Sequence, residues 1–334
     1  MTGKVKIGVI GLGMGRWHLN NYLRCRNAEV IALCDIDKGL LRSVAEACHI
    51  PHTFTEIEQC LALEELDAVT VALPNHLHRP VTMAALDAGK HVLVEKPMAM
   101  NAMEAQRMVD AAARAQRILM MHFNYRFKPE FFFMKRHIES GALGGIYFGR
   151  TCYVRRRGMP RPGSWFAQKK LSGGGALVDI GVHCLDLALW LMDYPEVMEV
   201  HGAVYAKFGP EQAKKEGKIF DVDDLATGLI RFRNGATLLL EASWASNIGT
   251  NEVYTELYGT QGGFSNREGW KIFTEQNGAQ LDCIPSGLPD VETPQQHFVS
   301  CIEEGKKPIC PGEHGLMVQK ILDGIYASSE QTIR

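Results

Sequence analysis

No stretch of the 334 residues reaches the roughly 18 consecutive apolar residues expected of a membrane-spanning helix. Charge of one sign is also missing: 36 Lys and Arg face 38 Asp and Glu, a formal net charge of −2. That balance argues against a general nucleic-acid or membrane-surface binder. The nine cysteines are scattered, with no pair at Cys-x-x-Cys spacing. No disulfide framework, zinc site or other metal is expected, and a reducing cytoplasm is the natural compartment. The N-terminus passes from Met1 into Ile7-Gly-Val-Ile10 and then a turn, unlike a secretory signal. What is present is ordinary for a globular protein: 46% hydrophobic and 22% charged residues, in a chain long enough for two domains.

The first 124 residues alternate short apolar runs with helical patterns. Strands are expected near 5–10, 30–34, 68–73, 91–94 and 118–123, with helices between them. Continuous apolar strands separated by helices indicate a parallel sheet covered on both faces, the doubly wound Rossmann pattern. The second half changes character. Asn234-Gly235 and Asn277-Gly278 each separate two strand-like runs, a hairpin signal. Residues 146–284 therefore fit an open, mainly antiparallel sheet, interrupted by a helix near 176–192. Two more helices are expected at 295–304 and 314–329. The fold class is α/β, with a nucleotide-binding domain at 1–124 and a substrate and oligomerisation domain at 125–334. The last helix has the option of packing back on the first domain.

Gly11-Leu-Gly13-Met14-Gly15-Arg16 follows the first strand and precedes a helix. Such a turn lets a pyrophosphate approach the backbone at a helix N-terminus. The usual third glycine would be position 16, which is Arg, so the helix register is open. Asp35 ends the second strand, about 20 residues beyond the glycines, where a carboxylate accepts from the adenosine ribose hydroxyls. It would repel the extra phosphate of NADP, and the next residue is Ile36 rather than an Arg to clamp it. The expected cofactor is NAD.

Asp179, His183 and Asp186 are spaced four and three apart, which on an α-helix places them on one face. A His between two carboxylates can carry a proton for an alcohol; a buried core histidine is the alternative. Gly173 to Gly175 just before admit close approach of a ligand or another backbone. Lys96 stands at the C-terminal end of a parallel strand, the edge where such sheets bind ligands, and an ammonium there can stabilise charge on a reacting oxygen. Glu95 is either buried or positions Lys96. Segment 155–170 holds six cations and no acid: it is a solvated face, or a loop in which Trp165 stacks on a sugar ring and an Arg binds an anionic group. Tyr125 and Arg126 are substrate contacts or plain interface residues. His76 and His78 are candidates to touch ligand, while His122 is expected to pack.

Glu95-Lys96-Pro97, Gly173 through His183 and Asp186, Leu73-Pro74-Asn75-His-Leu-His78 and Tyr258-Gly-Thr-Gln-Gly262, taken with the first turn, resemble the glucose–fructose oxidoreductase / inositol dehydrogenase / rhizopine-catabolism (Gfo/Idh/MocA) family. The resemblance implies NAD(P)-dependent dehydrogenases or reductases of sugars, inositols and related polyols, assembled as homodimers or homotetramers through the open sheet face. It implies catalytic roles for Lys96, Asp179 and His183, a Pro74-Asn75 turn against the cofactor, and a Lys96–Pro97 bond that is often cis. Candidate cofactor contacts are thus Gly11, Gly13, Met14, Gly15, Arg16, Asp35, Pro74, Asn75, His78, Glu95 and Lys96. Candidate substrate contacts are Tyr125, Arg126, Trp165, Asp179 and His183. The family also allows a non-catalytic NAD-binding regulator, which retention of Lys96, Asp179 and His183 opposes. A redox-neutral NAD-dependent glycosidase is a third option, but its Tyr- and His-rich segment is not evident. No nucleic-acid or membrane partner is expected.

Overall fold

The computed structural model describes residues 3–331. It divides into two compact units, Met1–Phe123 with Glu292–Gln319, and Asn124–Val291 with Lys320–Arg334.

The first unit is built on β1 (Val5–Ile10), α1 (Gly15–Tyr22), β2 (Ala28–Cys34), α2 (Lys38–Cys48), β3 (His52–Phe54), α3 (Ile57–Leu61), β4 (Ala68–Val71), α4 (His78–Asp87), β5 (His91–Val94), α5 (Ala102–Ala115) and β6 (Leu119–Met121). All six strands are parallel, in the order β3-β2-β1-β4-β5-β6. The strands β1, β2, β4 and β5 are almost wholly buried, as expected of a sheet covered on both faces. Local chemistry sets the helix ends. Asp37 caps α2 by accepting from Gly39 and Leu40 N–H, and Asn101 caps α5 through Glu104 N–H. β3 and α3 are too short and too polar to show a clear period, and the sequence reading passes over them.

The second unit contains α6 (Pro129–Glu139), β7 (Ile146–Val154), α7 (Lys169–Ser172), α8 (Val182–Leu191), β8 (Val197–Tyr205), α9 (Gly209–Glu216), β9 (Leu225–Phe232), β10 (Thr237–Ser243), β11 (Glu252–Gly259), β12 (Gly262–Ser265), β13 (Lys271–Gln276) and β14 (Ala279–Cys283). Its eight strands run β14-β13-β12-β11-β7-β10-β9-β8, antiparallel except where β7 pairs with β10. Both Asn-Gly hairpins form: β9 turns into β10 at Asn234-Gly235, and β13 into β14 at Asn277-Gly278, where both turn residues have positive φ. Along β9 and β10 one face is buried and the other partly exposed, leaving Leu225, Leu229 and Leu239 on the outer side. Against the inner face, α8 is buried at every position except His183. The helical run Lys169–Leu191 is apolar enough by composition to span a bilayer, but 89% of its apolar window is buried within the protein, which makes it a core element.

The last helices are α10 (Pro294–Glu304) and α11 (Gly312–Gln331). The domain division expected from sequence assigns all of 125–334 to the second domain, whereas 292–319 belongs to the first unit. There α10 packs on α1 and β1, Cys310 O accepts from Met121 N–H, and Gly312 and Gly315 let α11 lie directly on Leu119 and Met121 of β6. From Lys320 onward α11 belongs to the second unit, with Ile325 seated where Gly202 and Gly228 leave room on β8 and β9.

Candidate active site

In the first unit, the loops after β1, β2, β4 and β5 lie at the C-terminal edge of one parallel sheet. Gly11 has φ of 87°, and a Cβ there would lie 2.4 Å from Ala72 O, so only glycine fits. A Cβ on Gly13 would meet nothing within 4 Å, which leaves its backbone open. A Cβ on Gly15 would lie 2.8 Å from Val9 Cγ1. Gly15 opens α1, so it takes the part of the third glycine, close helix–strand packing, and the register left open by Arg16 is settled. Met14 and Arg16 are exposed beside the helix start. Asp35 is tied to this turn: Leu12 N–H donates to its Oδ2 at 2.6 Å and Asp37 N–H to its Oδ1 at 2.9 Å. These residues fit a dinucleotide, with open backbone for the pyrophosphate and a fixed carboxylate for the ribose.

The next two loops change two assignments. His78, a candidate cofactor contact, is fully buried. Its Nδ1 lies 2.7 Å from Pro97 O and its Nε2 2.8 Å from Leu73 O, so it fastens the loop after β4 to the loop after β5. Glu95, also a candidate contact, is buried too. Its Oε1 lies 2.9 Å from both His18 Nε2 and His122 Nδ1, and Lys96 N–H donates to its Oε2. Both oxygens are thus taken up by protein groups, so Glu95 is buried and positions Lys96, and both residues hold the loops of the site. Burial pushes the Glu95 carboxyl up, but the two imidazoles, His122 foremost, outweigh it and keep the carboxyl well below its usual range. Burial, reinforced by His122, lowers His18 in spite of Glu95.

Sequence reasoning missed His18, whose Nδ1 meets Gln295 Nε2 at 2.8 Å, and Trp17, whose ring flanks both imidazoles. His18, Glu95 and His122 bring three potential metal-ligand atoms within 4.8 Å of one another. Both imidazole nitrogens stand at ordinary N–H···O distance from one oxygen, so protons account for the cluster. Asn75 is buried in a 3₁₀ turn after Pro74, and Lys96, partly exposed, precedes a cis bond to Pro97.

In the second unit the glycine run serves the protein's own packing. Gly173 has φ of 82°. A Cβ on Gly174 would lie 2.0 Å from the Tyr326 hydroxyl, and one on Gly175 1.8 Å from Asp223 O. Close approach is therefore by Tyr326 and another backbone, not by a ligand. Asp223 accepts from Gly175 N–H, Leu177 N–H and Tyr326 O–H, which fixes the entry to the helix.

That helix opens with a π turn, Leu177–Gly181, before α8. Such turns insert a residue into the α-helical register and recur at functional sites. Asp179 lies within it and accepts from Trp244 Nε1 at 2.9 Å. The ring of His183 stacks on Tyr125, with centroids 5.4 Å apart. Throughout residues 174–192 every residue is buried except Asp179 and His183.

Asp186 does not flank His183 as a second carboxylate. Its Oδ2 accepts from Arg126 Nε at 3.0 Å and its Oδ1 from Tyr194 O–H at 2.7 Å, and Arg126 closes the pair bidentately. Arg126, a candidate substrate contact, is likewise fully buried. Its guanidinium packs over the Trp190 and Tyr194 rings, so this is an internal ion pair holding the 3₁₀ turn Asn124–Phe127 to α8. Trp165 is partly exposed and stacked on Phe166. Arg155, Arg156 and Arg157 donate to Tyr153, Gly249, Ser246 and Asn247, and among the described residues none of the three meets a carboxylate.

Residues 5–123 match the oxidoreductase family with an NAD-binding Rossmann fold, and residues 131–265 match the GFO/IDH/MocA C-terminal domain. The chain belongs to the Gfo/Idh/MocA family. It is similar to D-glucoside 3-dehydrogenase of Escherichia coli, 28% identical over 100% of this chain and 97% of that protein. It is also similar to myo-inositol 2-dehydrogenase of Thermotoga maritima, 27% identical over 94% of this chain and 92% of that protein. Among solved structures, levoglucosan dehydrogenase in complex with NADH and levoglucosan superposes with a TM-score of 0.88, 27% identity and 98% coverage of both chains. Membership makes this chain an NAD-binding oxidoreductase and accounts for the shared parallel and open sheets.

Proposed function

We propose that this member of the family is an NAD-dependent dehydrogenase of a sugar, inositol or related polyol, acting on a secondary alcohol. The observation that carries the reading is the exposure pattern of residues 174–192, where Asp179 and His183 alone escape burial. An otherwise apolar helix that presents one carboxylate and one imidazole is suited to accept and return a hydroxyl proton. When bound, the nicotinamide supplies the hydride chemistry. His183 takes or gives the hydroxyl proton, Asp179 orients His183 and favours its charged form, and Lys96 hydrogen-bonds the reacting oxygen. Asp35 selects NAD over NADP by repelling a 2′-phosphate. Tyr125 and Trp165 offer ring faces to a sugar. The names of the similar proteins, a glucoside, an inositol and a levoglucosan dehydrogenase, support this substrate class.

Two further points belong to the same reading. The partly exposed apolar side of β9 and β10, with Leu225, Leu229 and Leu239, supports a symmetric homo-oligomer, dimer or tetramer, formed through the open sheet face. Light scattering at micromolar concentration should give twice or four times the chain mass; a monomer counts against this. Nine free thiols, seven of them buried, suit the cytoplasm. The reading as a whole is tested by incubating the protein with NAD and a panel of hexoses, methyl glucosides and inositols. Formation of NADH and a keto sugar is expected. Binding of NAD and sugar without any turnover points to a regulator instead, and hydrolysis of a glucoside without net NADH to a glycosidase.

A further inference from the structure

Asp179 does not hold its own position. The π turn that carries it is pressed onto β10, where a Cβ on Gly181 would lie 2.9 Å from Ala242 Cβ. One residue beyond β10 stands Trp244, whose indole N–H reaches Asp179 Oδ2 at 2.9 Å. Trp244 is only 1% exposed. It belongs to a buried cluster with Ala167, Ala176, Ile180, Phe220, Val222 and Ala242, and its ring meets Phe220 edge to face with centroids 6.2 Å apart. Its backbone is fixed as well: Trp244 N–H donates to Asp224 O, and Asp224 Oδ2 accepts three consecutive N–H groups, from Lys207, Phe208 and Gly209.

We infer that Trp244 is a positioning residue for the reaction, setting the direction and the charge of Asp179; this rests on the catalytic reading of Asp179 and His183 given above. An indole N–H is a donor only and does not titrate in the working range. A serine or water in the same place could turn round and donate or accept, whereas the indole can satisfy only an oxygen that accepts. It therefore favours the ionised carboxylate and fixes which oxygen faces the core. A carboxylate held in that way fixes the tautomer and orientation of its imidazole partner. The other titratable and charged groups around this corner are His183 on the same helix, Tyr125 against His183, Tyr153 with Arg155 at the end of β7, Asp223 with Tyr326 at the entry to the helix, and Asp224 beside the Trp244 backbone. Trp244 differs from them in contributing a hydrogen bond without contributing a charge.

The test compares Trp244→Phe, which keeps an aromatic ring and removes the N–H, with Phe220→Leu, which disturbs the same packing and spares it. Turnover is followed as NADH formation from the best sugar of the panel. Trp244→Phe should lower kcat about 10- to 100-fold, the range expected for losing a hydrogen bond to a charged group. KM and the NADH dissociation constant should stay within about twofold. The acid limb of the pH profile should move up by about one pH unit, because Asp179 loses a donor to its charged form. Phe220→Leu should change none of these, although both variants lower the melting temperature.

A second readout needs no substrate. In ¹⁵N-indole-labelled protein saturated with NADH, the Trp244 resonance, assigned by its loss in Trp244→Phe, should respond to Asp179→Asn. Equal kinetic losses in the two packing variants, or an indole resonance indifferent to Asp179→Asn, overturn the inference. If Asp179→Asn itself leaves turnover intact, the catalytic reading fails with it. If Asp179→Asn abolishes turnover while Trp244→Phe changes neither kcat nor pH profile, only the role of Trp244 fails.

Discussion

The candidate residues of the first unit and those of the second are held by different means. Around the first turn of the first unit the backbone does most of the holding. Gly11 and Gly15 each answer a geometric demand of the turn itself, Gly13 leaves its backbone open, and Asp35 braces that turn through Leu12 N–H. In the second unit side chains distant in sequence do it. Asp179 leans on Trp244, His183 on Tyr125, and Asp186 on Arg126 and Tyr194. Binding a dinucleotide needs backbone N–H groups at a fixed curvature, which a short motif can encode. Moving a proton needs side chains of tuned charge and direction, and those depend on neighbours brought in by the fold.

The contrast predicts that damage to the first unit's turn shows in binding and damage around the catalytic groups shows in rate. The largest effect is expected at Lys96. Lys96→Ala should lower kcat by about 10²–10⁴-fold, as for removal of one electrostatic stabiliser of a reacting oxygen. Gly15→Val, which forces α1 away from Val9, should weaken NADH binding in calorimetric titration while the bound fraction keeps most of its turnover. A Lys96→Ala enzyme that loses NADH binding and keeps its rate would erase the distinction.

Next comes the buried ion pair. Arg126→Ala strands Asp186 in the core and should cost about 3–5 kcal/mol in denaturant unfolding. Had Arg126 been a substrate contact, the same change would raise KM and leave stability nearly untouched. Asp35→Ser should narrow the preference for NADH over NADPH by about tenfold, since it removes a repulsion of the 2′-phosphate. Equal affinities in the unaltered protein would already exclude that role for Asp35.

The smallest effect concerns acid stability. The Glu95 carboxyl lies below its ordinary value in the fold, so it stabilises the protein above its unfolded pKa of about 4.3 and loses that contribution as pH falls through the lower folded value. Unfolding midpoints of the native protein should therefore drop as pH falls from about 5. Glu95→Gln should flatten that slope by about 1 kcal/mol over the window, and an unchanged slope would mean that His18 and His122 do not hold the charge.

The same contrast explains what could be read from sequence. The strands at 91–94 and the helix at 102–115 were legible because each has one clean period and sharp ends. The Asn-Gly hairpins were legible because the turn chemistry is local. The place of Asp35 beside the glycine turn was legible from the strand end, the glycines and their spacing together. The equal treatment of Asp179 and Asp186 failed because spacing on an ideal helix cannot reveal a π turn or a distant arginine. His78 was placed at the right edge of the sheet but its fastening role was not seen, and Glu95 does what two of its readings allowed, lying buried and holding Lys96 N–H; their partners His18, His122, Leu73 and Pro97 come from four separate segments. Trp244 carries no local signal at all: it is one apolar residue after a strand, and only the fold shows where its N–H points. That the last helix could pack back on the first unit was legible, as its start does through Gly312 and Gly315 against β6, whereas the membership of α10 was not.

In the proposed function the partly exposed pair Asp179 and His183 on the buried helix performs the proton transfer of a sugar dehydrogenase. It is tested most directly by the pH dependence of NADH formation in His183→Ala, measured beside the unaltered enzyme on the same sugar and at saturating NAD. The account predicts a fall in kcat of about 10²–10⁴-fold near neutral pH, with NADH affinity within about twofold of the original and partial recovery at high pH, where hydroxide replaces the missing base. Near-normal turnover of His183→Ala across the whole pH range would contradict it.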